Sequence, residues 1–193
     1  MDRSVKVSGS FWITAAIMLL TLPLQWILAA LVSAAFHELC HYGAIRLCAG
    51  KPQRLSLGSN GAAMLLPEMG REKELFCTAA GPIGGFLLFF LFPVCPRIAL
   101  CGLFQSLYNL LPIYPLDGGR VLQCLTAMTM KPAYAQWLCS FVQWTCIGIL
   151  VAACIYASCF LKLGLLPLLL IAVMLIKVKF ANYSCNERLL AVQ

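Results

Sequence analysis

Apolar residues fill this chain in long runs, and short polar stretches separate them. By length the runs fall at about 11–24, 25–48, 75–93, 97–111, 134–160 and 163–180. A crossing of the ~30 Å hydrocarbon layer takes about 20 apolar helical residues, so the pattern predicts about six transmembrane helices. The first run is short, with Pro23 near its end. Residues 50–74 form the longest polar insertion, in which Gly58, Asn60 and Gly61 are turn residues between two short extended pieces. Two readings stay open for it: an ordinary loop, or a membrane-associated β-hairpin-like insertion whose exposed edge pairs with an extended peptide. The expected fold class is an all-α polytopic membrane protein. No internal repeat or low-complexity linker divides the chain, so residues 1–193 are expected to form one membrane-embedded domain.

Composition agrees and excludes a large soluble domain. The chain is 62% hydrophobic and 11% charged, with a mean hydropathy of +0.88. A net charge of +7 would suit a nucleic-acid partner, but the basic residues lie between apolar runs and read as topology signals. With a cytoplasmic N-terminus and six crossings, only Arg97 and Lys162 of the 14 Lys and Arg fall outside. An odd number of crossings would spoil that partition, so both termini are expected in the cytoplasm and no nucleic acid is expected as a partner. The 11 Cys stand singly and form no C-x-x-C pair. Those such as Cys139, Cys146, Cys154 and Cys159 lie within apolar runs and read as small buried hydrophobes, not a disulfide framework. The basic start followed by an apolar run superficially resembles a signal peptide. No convincing small-residue cleavage site follows it, so it is read as a retained first span.

The second run carries chemistry. Its end reads His37-Glu38-Leu39-Cys40-His41, and these are the only two His in the chain. On a helix, positions i and i+4 lie about 40° apart around the axis, so both imidazoles face one way. Two such imidazoles can hold zinc, and the Glu between them can take a proton from the attacking water. Ionisable side chains at membrane depth cost about 3 kcal/mol or more each and are presumed functional. The alternative is a helical His pair with no metal.

Catalytic zinc takes three protein ligands and keeps one position open. Of the two Asp, Asp2 lies in the polar N-terminal tail, and Glu68, Glu72, Glu74 and Glu187 lie in polar loops or the C-terminal tail. Asp117 has an apolar setting, with Pro112 and Pro115 before it and Gly118 and Gly119 after it. That is a backbone able to bend and aim a carboxylate. The competing reading is an Asp in a tight turn at the end of the fourth run. Cys40 points about 60° from His37, on the side away from His41, and is read as packing. Asn109 could hold an extended backbone through its amide or cap a helix end, and the sequence leaves both open.

Together these motifs resemble the site-2 protease family of intramembrane zinc metalloproteases. That family joins His-Glu-x-x-His to a later Asn-x-x-Pro-x-x-x-x-Asp-Gly, matched here by Asn109, Pro112, Asp117 and Gly118. The small size, the six runs and the lack of an inserted PDZ-like domain look most like the stage IV sporulation protease branch. The resemblance implies one zinc ion per chain held by His37, His41 and Asp117, with Glu38 as general base. It implies Asn109 as a substrate-backbone contact and a catalytic core at about 25–125. Ala79–Gly85 resembles the Gly-Pro-containing start of the family's third span, but this chain has Gly85 where many members have Asn. The branch often carries a C-terminal CBS domain, and none is expected before Gln193.

The implied function is hydrolysis of a peptide bond in or near the transmembrane segment of a membrane-associated protein substrate. The implied setting is regulated proteolysis of a signalling or transcription factor in a bacterial cytoplasmic membrane. The active site then lies in the cytoplasmic half, with membrane regulatory proteins as further partners and the oligomeric state open. A multispan transporter, or a scaffold with a structural metal site, is the competing class. A transporter predicts polar residues on several spans, yet the last two runs hold little beyond Gln136 and Gln143. A silent scaffold would show a lost ligand, and none is lost.

Overall fold

The computed structural model describes residues 23–49, 54–58, 61–65 and 70–160, and near the end positions 171–172, 174–176 and 178–179. Three helices among the described residues are long and apolar enough to cross a membrane: Leu24–Cys48, Arg71–Leu91 and Pro132–Cys159. They coincide with the second, third and fifth expected runs. The first expected run, and most of the sixth, lie outside the described residues. The fourth is a helix of 14 residues, about 21 Å long at 1.5 Å per residue and too short to cross the bilayer alone. The chain divides into two compact units, residues 1–109 and 110–193.

In the first unit, helix α1 spans Leu24–Ala49. Pro23 precedes it, and its carbonyl accepts from the N–H of Trp26 at 2.9 Å. A proline at a helix start costs nothing there, because that N–H would be unpaired anyway. Arg46 in the last turn complements the negative end of the helix dipole. Strands β1 (Arg54–Gly58) and β2 (Gly61–Leu65) pair antiparallel, with Arg54 opposite Leu65 and Gly58 opposite Gly61. Helix α2, Arg71–Leu87, opens with Glu72 and Glu74 at its positive end. A 3₁₀ turn, Leu88–Leu91, extends it. Helix α3 is Pro96–Asn109.

Small residues bring these helices close. On α2, Gly81, Gly84 and Gly85 are buried, and on α3 Ala99, Gly102 and Ser106 are buried at helical spacing. A Cβ on Gly84 would lie 2.2 Å from Cys40 Sγ on α1, and one on Gly85 would lie 2.0 Å from Ser106 Oγ on α3. With hydrocarbon on both sides there is little hydrophobic force between helices, so close backbone approach supplies the packing. Large apolar side chains such as Leu47, Phe90 and Val94 point outward, as suits a lipid solvent.

In the second unit, residues 110–116 form a turn-rich segment with a cis Tyr114–Pro115 bond. Helix α4 is Asp117–Thr129, and α5 is Pro132–Cys159. Ile113, Ile147, Ile171, Met174 and Val178 are the buried cluster, flanked by Leu111, Leu116, Leu150 and Val151. Thr126 of α4 bonds the carbonyl of Leu122 at 2.8 Å and meets Cys139 Sγ of α5 at 3.3 Å.

Candidate active site

His37 and His41 lie on adjacent turns of α1, and their Nε2 atoms are 3.2 Å apart. The rings meet edge to face, with centroids 4.8 Å apart and planes at 81°. His37 is 3% exposed. Its Nε2 is 3.2 Å from the Asn109 amide nitrogen at the end of α3. His41 Nδ1 is 2.8 Å from the carbonyl of Cys77 on α2.

These contacts assign the tautomers. A carbonyl only accepts, so Nδ1–H of His41 donates to Cys77 and the neutral ring keeps its lone pair on Nε2. An amide N–H₂ only donates, so His37 also presents its lone pair at Nε2. Two lone pairs facing at 3.2 Å repel unless a cation lies near both. Tetrahedral zinc, with Zn–N of 2.0–2.1 Å, holds two ligand nitrogens about 3.3 Å apart. The pair therefore fits a metal, and the Cys77 carbonyl is the outer partner that a ligating imidazole uses to fix its orientation.

Helix α2 makes this possible through Gly81. A Cβ there would meet His41 Nε2 at 2.1 Å and both Cδ2 and Cε1 at 2.6 Å. Those carbon distances are too short for an in-plane approach along the lone pair, so the Cβ would sit over the ring. Only a residue without a side chain lets the imidazole lie flat against this turn. Pro82, buried inside α2, lacks the N–H that would return to the carbonyl of Thr78. Glu38 follows His37 on α1 and is half-buried.

Asp117 belongs to the second unit, where it is the first residue of α4. The competing turn reading gives way to a helix start, where a carboxylate is stabilised by the dipole. Its two glycines lie inside the first turn of α4. A Cβ on Gly118 would stand 2.2 Å from the Leu110 carbonyl oxygen, and one on Gly119 would stand 2.5 Å from the Tyr114 nitrogen. The glycines thus let the start of α4 press against the chain that leads into it. Leu116 precedes the helix with φ −67° and ψ 161°, and the Tyr114 N–H donates to Gln143 Oε1 of α5 at 3.1 Å. The backbone that carries Asp117 is thus fixed by close packing of the α4 start against residues 110–114.

The first unit brings His37, His41 and Asn109 together, as the motif residues suggested. It adds Ser33, Cys77, Gly81 and Gln105, which the motif alone did not single out. Ser33 is fully buried, and its hydroxyl donates to Gln105 Oε1 at 3.0 Å. The available signal was spacing: Ser33 and Gln105 each precede a site residue by four.

No protein-family model matches the chain. A zinc metalloprotease of Methanocaldococcus jannaschii is 24% identical over a stretch covering 63% of this chain and 37% of that protein. The chain thus spans well under half the length of that relative. Among solved structures, the site-2 protease from Methanocaldococcus jannaschii matches with a TM-score of 0.64 and 16% identity. The match covers 92% of this chain and 89% of that one. The chain has a site-2 protease fold. Within that fold, His37 and His41 lie on a helix long and apolar enough to cross a membrane.

Proposed function

We propose that this chain is an intramembrane zinc metalloprotease of the site-2 type. The observation that carries this reading is the pair of Nε2 atoms 3.2 Å apart on a membrane-grade helix, one imidazole anchored through Nδ1 to Cys77. Asp117, which opens α4, offers the carboxylate that a two-His zinc site takes as its third ligand. His37, His41 and Asp117 are the proposed ligands of one zinc ion. Zinc, when bound, supplies Lewis-acid chemistry, acidifying water and polarising a carbonyl.

The rest is the work of the chain. Glu38 is the general base: it takes the proton of the attacking water and returns it to the leaving amine. Cys77 holds the His41 ring in the tautomer that leaves Nε2 free to ligate. Asn109 offers its amide to the extended backbone of the substrate. A helical substrate must unwind first, because helical hydrogen bonds bury its scissile carbonyl. Hydrolysis consumes water, so a polar path from one face is needed. Placing the site in the cytoplasmic half, with both termini cytoplasmic, shortens that path. The substrate class is a membrane-associated protein cut in or near its transmembrane segment, in keeping with regulated release of a signalling or transcription factor.

The test compares wild type with Glu38→Gln in membranes. Zinc content is expected to stay the same, while one or more membrane proteins accumulate uncleaved in the variant. Retained cleavage in Glu38→Gln refutes the mechanism.

A further inference from the structure

We propose that Gln105, gripped by Ser33, is the positioning residue that sets Asn109 against His37; the inference deepens the metal-site reading above and rests on it. Ser33 and His37 are four residues apart on α1, and Gln105 and Asn109 are four apart on α3, so each pair occupies one helix face. The two helices are therefore tied by two polar rungs, one turn apart. The lower rung is Ser33 Oγ to Gln105 Oε1 at 3.0 Å, and the upper is Asn109 Nδ2 to His37 Nε2 at 3.2 Å.

The rungs differ in kind. Ser33 is fully buried, and its bond to Gln105 uses no atom that a metal would need. It keeps its partner whatever happens at the site. The Asn109 bond uses the very lone pair that a metal needs. When His37 ligates a metal through Nε2, the amide must let go. Asn109 is also the last residue of α3, where the carbonyls of the final turn have no helical partner. Without an anchor one turn earlier, the released amide would drift. The Ser33–Gln105 rung keeps it beside the ligand, free of His37 and turned to whatever enters. A polar pair inside an otherwise apolar helix contact is costly to build, and it defines register where apolar packing would permit sliding.

The metal-free bond has a measurable consequence. Because the amide competes with metal for one lone pair, weakening it tightens metal binding. The experiment uses the full chain in lipid nanodiscs with Co2+ as the probe metal. Its absorption bands report the ligand set, and competition against a chelator gives the affinity. Asn109→Ala and Gln105→Leu are each expected to tighten Co2+ by about two- to tenfold, the range of one net hydrogen bond. In the double variant the second change adds nothing. Ser33→Ala behaves as Gln105→Leu, and Ser33→Thr, which keeps the donor hydroxyl, restores wild-type affinity. A purely structural role for Gln105 predicts instead weaker metal in both backgrounds, with a lowered unfolding midpoint. That result, additive effects, or unchanged affinity in Gln105→Leu would overturn the proposal. Cleavage assays run beside it: an inactive but Co2+-binding wild type sinks the protease reading and leaves the cycle decisive. A wild type that binds no Co2+ overturns both.

Discussion

Gly81→Ala is the smallest change that ought to destroy the candidate metal site while sparing the fold. The added methyl would begin 2.1 Å from His41 Nε2, whereas ordinary contact starts near 3.4 Å, so ring and backbone must separate by about 1.3 Å. The ring has little freedom to yield, since Nδ1 is bonded to Cys77 at 2.8 Å. That carbonyl is on the same turn of α2 that carries the methyl. Moving away from Gly81 therefore also breaks the anchor. Metal ligands tolerate about 0.2 Å, several times less than the shift required. We expect zinc affinity to fall by more than about 100-fold, given that losing an outer partner alone costs 10–100-fold. Stability should change far less. Overpacking costs about 1–3 kcal/mol, and Ala regains about 1 kcal/mol over Gly inside a helix. The assay is zinc per chain by elemental analysis after dialysis against a weak chelator, with helicity by circular dichroism. Gly43→Ala and Gly148→Ala serve as controls, because a Cβ at either position meets nothing within 4 Å. One zinc retained per chain and wild-type cleavage in Gly81→Ala would refute the reasoning.

With Asp117 as the proposed third ligand, Asp117→Ala should lower zinc affinity by more than about 100-fold, since a ligand matters more than its outer partner, and Asp117→Asn should do nearly the same. Zinc titration of each variant decides it. Gly118→Ala should cost about 3 kcal/mol or more, because its methyl meets the Leu110 carbonyl, and backbone cannot rotate aside as a side chain can. A denaturant midpoint in detergent reads that loss. Gln143→Leu removes the acceptor of the Tyr114 N–H and should cost about 1–3 kcal/mol.

Legibility followed how local each feature is. That His37 and His41 face one way is readable because helical geometry alone places i and i+4 on one face, and no other His dilutes the signal. The runs ending in α1, α2 and α5 are readable because length and hydropathy are sums along the chain. Their starts are less so: α2 begins at Arg71, four residues before its apolar run, since Glu72 and Glu74 lower hydropathy while stabilising the helix start. Helix α4 escaped notice because it opens Asp117-Gly118-Gly119. Adjacent glycines read as a turn, having poor helix propensity and free backbone. Their actual task, clearing space against Leu110 and Tyr114, depends on a contact that only the folded chain reveals.

The same reasoning explains why the motif is incomplete without its neighbours. His-Glu-x-x-His specifies which atoms can bind a metal, but an imidazole on a lone helix has several rotamers and two tautomers. In this fold both choices are removed from outside α1. Cys77 selects the His41 tautomer, Gly81 admits the ring at one depth, and the Asn109 amide selects the tautomer of His37. Gly81 of α2 and the Asn109 amide of α3 thus shape the histidine pair from outside the motif. Replacing Cys77 would leave the site intact, because its contribution is a backbone carbonyl that any residue supplies. Replacing Gly81 would not, because its contribution is the absence of a side chain. A substitution scan over α2 that reads zinc retention should therefore tolerate small and medium side chains at Cys77, including Ala and Ser, and reject all of them at Gly81.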